Sequence, residues 1–76
     1  MSSQQIKERP IRRVLRHKLS RQYFTGSGWT HDVEAARTFQ DSLEAVQICL
    51  KHELTCVEIV LRLNGGTGDL FCAEIR

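Results

Sequence analysis

YFTGSGWTHDVEAARTFQDSLEAVQICLKHEL, residues Tyr23 to Leu54, decides the architecture of this chain. Its aromatic pair Tyr23-Phe24 suits a strand end. Gly26-Ser27-Gly28 follows as a turn, because glycine takes φ > 0 without a Cβ clash. Trp29 is too large to leave fully wet in 76 residues, so it is placed at the core edge near Phe39. Thr30 or Asp32 caps one short helical turn running through Arg37, with Val33, Ala36 and Phe39 pointing one way. Asp41 or Ser42 caps a helix predicted over Ser42 to Glu53, and Asp41 with Glu44 has capping-box spacing. That order specifies a compact α+β core and no chemistry.

At 100° per residue, Leu43, Ala45, Val46, Cys49, Leu50 and Leu54 cover about half of this helix's circumference, flanked by Ile48. Glu44, Gln47 and Lys51 form a narrow wet stripe. A helix lying on one sheet needs an apolar stripe only ~100° wide, so the excess must meet the N-terminal arm or another subunit. Leu50 is expected to be fully buried, against Ile59 and Leu61.

Working towards the N-terminus, Ile11 to Leu19 fits two descriptions. Ile11, Val14, Leu15 and Leu19 have helical spacing behind Pro10, yet VLRHK, the polar LSRQ and YFT together suit a hairpin. Periodicity alone does not separate them. A strand ending at Tyr23-Phe24 needs a neighbour, which favours the hairpin. Residues 1–9 are polar and non-periodic and are expected to form a disordered tail, leaving 10–76 as a single domain.

Towards the C-terminus, Val57 to Leu63 is the clearest strand: Val57, Ile59, Leu61 and Leu63 share one face, and Glu58, Val60 and Arg62 the other. NGGTGD, residues 64–69, is a loop by composition, and Leu70 to Ile75 returns as a last strand. The predicted fold is α+β, an antiparallel sheet of three to five short strands with one long helix on one face, in the order β-β-(short turn)-α-β-β. One sheet face should be dry, under the helix, and the other partly wet.

Composition narrows the function classes. A chain this short buries only about 60% of its unfolded surface, leaving little room for a deep catalytic cleft. No apolar run approaches the ~20 residues needed to span a bilayer, so no membrane partner is expected. MSSQQIKERP has no apolar core of an export signal. The odd set Cys49, Cys56 and Cys72, with no C-x-x-C, fits a reducing compartment better than a disulfide framework. These features suggest a cytoplasmic protein.

Charge is unevenly spread. Residues 1–30 carry seven basic side chains against Glu8 alone, while residues 31–76 carry four basic and eight acidic ones. Arg12, Arg13, Arg16, Lys18 and Arg21 form a basic arm that could neutralise phosphates along a nucleic acid or other polyanion, with Tyr23, Phe24 or Trp29 stacking on bases. The plainer account is a charged edge strand that resists aggregation. For the polyanion reading, the guanidinium heads should stand in solvent, away from the C-terminal strands.

Other constellations are weaker. Cys49 and His52, three apart on a helix, could join Cys56 and Cys72 around zinc, but the spacing matches no zinc motif and buried cysteine behaves as a small hydrophobe. Ser20 with His31 and Asp32, or Cys56 with His17, supplies catalytic residue types without a pocket to organise them. GSG and GGTG lack the Lys-Ser/Thr or the spacing of phosphate loops, so turns are the better account. No metal and no cofactor are expected, and the chain is expected not to be an enzyme.

Trp29-Thr30, Asp32, Ala36, Phe39 and Ala45, followed by VEIVLRL, resemble a pattern in short stand-alone bacterial α+β proteins of unassigned function: W-T-x-D-x-x-x-A-x-x-F before a helix, then a V-E-x-V-L strand. The likeness covers Val14 to Ile75. It implies the fold and the hairpin, and carries over no catalytic or binding residues. The expectation is a non-enzymatic protein acting by self-association, as a homodimer or larger oligomer, or by docking a partner. Weak nucleic-acid binding through the basic arm is the alternative, and a small enzyme or zinc protein a more distant one.

Overall fold

A computed structural model describes residues 11–63 and 68–76. The expectations for a tail over 1–9, for Pro10 as a boundary and for most of the NGGTGD loop fall outside these residues. Among the described residues, five strands form one antiparallel sheet: β1 (Ile11–His17), β2 (Tyr23–Phe24), β3 (Trp29–Thr30), β4 (Val57–Leu63) and β5 (Asp69–Glu74). Their spatial order is β3-β2-β1-β4-β5. A 3-10 turn (Val33–Ala35) and the helix α1 (Ser42–Lys51) lie between β3 and β4.

The hairpin description of Ile11 to Leu19 holds. Arg16 pairs with Tyr23, and the connection closes through Arg21 N–H donating to the His17 carbonyl at 3.0 Å, with Arg21 in the left-handed region. The aromatic segment contributes one strand more than expected. Gly26, at φ 105, swings the chain back so that Trp29-Thr30 pairs with Tyr23-Phe24. Thr25 holds that turn: its N–H donates to the Gly28 carbonyl and its hydroxyl accepts from Gly28 N–H, both at 2.9 Å. Trp29 meets Phe24 and His17 edge-on, each at 5.5 Å between ring centroids, so its ring partners are these and not Phe39.

Pairing places Ile11, Arg13, Leu15 and His17 on the same face as Leu63, Leu61, Ile59 and Val57. This is the helix face, where Leu15, Phe24, Phe39, Ala45, Cys49, Val57 and Ile59 form the main core. The opposite face has a dry centre of its own, Val14, Tyr23 and Val60 under Ala36 and Val33 from the 3-10 turn. The chain from 36 to 39 therefore crosses the sheet margin. Arg37 N–H donates to the Phe24 carbonyl and Phe39 N–H to the Arg13 carbonyl, both at 2.9 Å. The expectation that Val33, Ala36 and Phe39 point one way is thus corrected. The first two cover one face and Phe39 enters the core of the other.

α1 starts as its capping pattern dictates. Asp41 accepts from Glu44 N–H at 2.8 Å, and Glu44 reaches back to accept from Gln40 N–H at 2.8 Å. It ends two residues earlier than expected, in a Schellman turn: Leu54 N–H donates to the Cys49 carbonyl and Glu53 N–H to the Leu50 carbonyl, with Glu53 at φ 55. Only Ala45 and Cys49 of α1 are buried. Leu50, expected in the core against Ile59 and Leu61, is 58% exposed, and Leu43 is exposed as well. The volume these leucines would fill is occupied by Phe24 and Phe39, which enter the same cluster from neighbouring segments. The helix approaches the sheet through its two small residues.

Candidate functional site

The basic arm lies on β1 and the turn behind it, in the middle of the sheet. That position overturns the expectation that its charges stand in solvent away from the C-terminal strands. β1 runs beside β4, and the acidic half of the sequence folds against the basic half. Arg16 is 5% exposed and Glu58 9%, with 2.8 Å between Arg16 Nε and Glu58 Oε2. Arg16 also reaches Asp69 at 3.0 Å and Cys72 Sγ at 3.6 Å, and lies over the Tyr23 ring. Burial works against the Arg16 charge, but hydrogen bonds with Glu58, Tyr23 and Asp69 outweigh it and raise its pKa above the ordinary arginine value.

The other four arm residues are engaged too. Arg12 donates to the Val33 carbonyl and to Glu34, each at 3.2 Å. Arg13 Nη1 donates to the carbonyls of Phe39 and Gln40, which fastens the crossing segment, while its buried Nε has no hydrogen-bond partner. Lys18 pairs with Glu74. Arg21 keeps over half of its side chain in water and approaches Glu58 at 3.4 Å. Arg62 and Asp69 add a further pair at 2.9 Å. The face carrying Arg16 is therefore a lattice of opposite charges and not a positive strip.

Residue types suited to catalysis or metal binding are dispersed. His17 Nδ1 accepts from the N–H groups of Leu19 and Ser20, both at 3.2 Å. Ser20 Oγ accepts from Gln22 N–H, and Asp32 caps the 3-10 turn through Glu34 N–H at 3.0 Å. Cys49 is inside the helix-face core, His52 rests edge-on against Phe24, and Cys72 points to the opposite face. No group of three or more metal-capable side chains forms among the described residues. Burial pushes the Cys49 thiol pKa up, and burial with a hydrogen bond to Glu58 does the same for Cys72, the reverse of what an activated thiolate needs.

The more distinctive surface is one that reading the sequence missed. β5 is the outer strand on its side of the sheet. Leu70 and Phe71 on it are 55% and 56% exposed. Ile11 and Leu63, paired across β1 and β4, leave further apolar surface exposed at the end of the sheet on the helix face. β5 contains no lysine or proline of the kind that blunts an edge. The opposite edge, β3, is two residues long and offers little to pair with. The signal in the sequence was Leu70-Phe71 itself, but its exposure follows from the strand order.

No helix among the described residues is long and apolar enough to cross a membrane. Comparison with protein-family models, with curated proteins and with solved structures gives no match to this chain.

Proposed function

We propose that this chain is a small non-enzymatic protein that works through its surface, by docking polypeptide, in the form of a second copy or another partner, on the open edge of its sheet. The observation that carries this reading is the exposure of Leu70 and Phe71 on an outer strand that has no lysine or proline. A bacterial, cytoplasmic setting is part of the proposal; it draws on the resemblance above and on three free thiols.

Polyanion binding through Arg12, Arg13, Arg16, Lys18 and Arg21 is the less favoured reading. Each of these charges already has a partner within the molecule, and a phosphate would have to displace Glu34, Glu58, Asp69 or Glu74. Sedimentation equilibrium separates the two. The docking reading, in its self-associating form, expects a mass that rises above 8.7 kDa with concentration and returns to monomer when Leu70 and Phe71 are both replaced by Ser. A constant monomer mass, together with steeply salt-dependent binding of short oligonucleotides, would favour the arm instead.

A further inference from the structure

The outer side of β5 has the pattern needed to pair with itself. Its inner side is spent on β4, with Glu58 opposite Glu74, Ile59 opposite Ala73, Val60 opposite Cys72 and Leu61 opposite Phe71. Ile75 N–H donates to the Val57 carbonyl at 3.1 Å. In an antiparallel ladder, alternate residues turn both backbone groups inward and outward. Phe71 and Ala73 therefore bond to β4, Ile75 does so through its N–H while Val57 N–H goes on to the Arg76 carbonyl at 3.2 Å, and the N–H and C=O groups of Cys72 and Glu74 face the open edge.

We infer that a second copy of this chain occupies that edge, antiparallel, about a two-fold axis at Ala73, joining two sheets into one of ten strands. This rests on the reading of the β5 edge as a docking surface. In that register Cys72 of each copy faces Glu74 of the other, so all the outward backbone groups of both residues are used. Ala73 meets its own counterpart at a position of close side-chain approach, which suits its small side chain. On the helix face Phe71 falls opposite Ile75 of the other copy, twice, giving two apolar cross-strand pairs. Charges stay apart: Asp69 lies outside the paired stretch, held by Arg16 and Arg62, and Glu74 is neutralised by Lys18. An axis at Cys72 would set Leu70 against Glu74 and Asp69 against Ile75. An axis at Phe71 would run the pairing through the irregularity where Arg62 meets Asp69. An axis between two residues would match outward groups with inward ones.

Disulfide trapping tests the register. The Ala73→Cys variant in a Cys72→Ser background, mildly oxidised, forms a covalent dimer, whereas the wild-type protein with Cys72 in place does not. Phe71→Lys, at a side chain already half in water, weakens association about tenfold through loss of the two apolar pairs. Efficient linking of the wild type through Cys72, or association without any Ala73→Cys link, overturns this interface while leaving self-association through another surface. A protein monomeric at millimolar concentration overturns the inference and the self-associating form of the docking reading together.

Discussion

Arg16 and Glu58 face each other across the β1–β4 ladder, both almost out of water, 2.8 Å apart. Removing two charges from water is costly, and the pair is tolerated because Asp69 and Arg21 add further partners. Its position gives it a second effect. A one-residue slip between these strands would move every side chain to the wrong face and separate the pair. Glu58→Ala is expected to cost about 3 kcal/mol, because it leaves a buried guanidinium short of a partner. Arg16→Met combined with Glu58→Leu should recover most of that loss in urea melts. A double variant no more stable than the single one would show that the buried charge is not the source of the cost.

Acid should weaken the fold through the same carboxylate. Burial pushes the Glu58 pKa up, but hydrogen bonds from Cys72 and Arg16 and the charges of Arg16 and Arg21 outweigh it, leaving the value below the ordinary 4.5. Between the two values the unfolded chain binds more protons, so stability falls as pH falls. The contribution is full above pH 4.5 and is lost as pH drops through the lower folded value. Urea melts from pH 6 down to pH 3 should show this loss, and Glu58→Gln should flatten it. An equally steep acid slope in that variant would place the titration elsewhere.

The two sides of α1 should respond very differently to substitution. Leu50→Ala is expected to change stability by less than about 0.5 kcal/mol, as at an ordinary surface site. Cys49→Ser, which puts a hydroxyl in the core beside Leu15 and Ile59, should cost about 1–3 kcal/mol. If Leu50→Ala proves the more damaging in denaturant melts, the helix is rotated from the position described.

Glu53 closes α1 in the left-handed region without being glycine. Its side chain is exposed, so Glu53→Gly relieves the backbone and removes little else. A gain of about 1 kcal/mol in thermal or urea unfolding is expected. A loss would mean that the Glu53 side chain contributes more than its backbone costs.

Much of the fold was legible because local chemistry agreed with it. The Val57–Leu63 alternation reads directly as a strand, the capping-box spacing of Asp41 and Glu44 marks the helix start, and the hairpin around LSRQ was favoured over a helix because Tyr23-Phe24 needs a neighbouring strand. The rest depended on non-local facts. The pairing of Trp29-Thr30 with Tyr23-Phe24 needs Gly26 at φ 105, and two residues carry no strand period. Leu50 carried the right pattern, yet Phe24 and Phe39 fill the space it would have used. The basic arm was legible as charge but not as a site. Arg16 and Glu58 are 42 residues apart, and only strand order makes them neighbours. Edge status decides the exposure of Leu70 and Phe71 and is likewise written in the order β3-β2-β1-β4-β5.

β5 is proposed as the strand along which this protein meets its partner, a second copy included. The most direct test is an amide NMR dilution series, run without and then with short nucleic acid at low salt. Concentration-dependent shifts are expected along Leu70–Ile75, with none in the arm when nucleic acid is added. Shifts concentrated at Arg12–Arg21 on adding oligonucleotide, with β5 unmoved by dilution, would contradict the proposal.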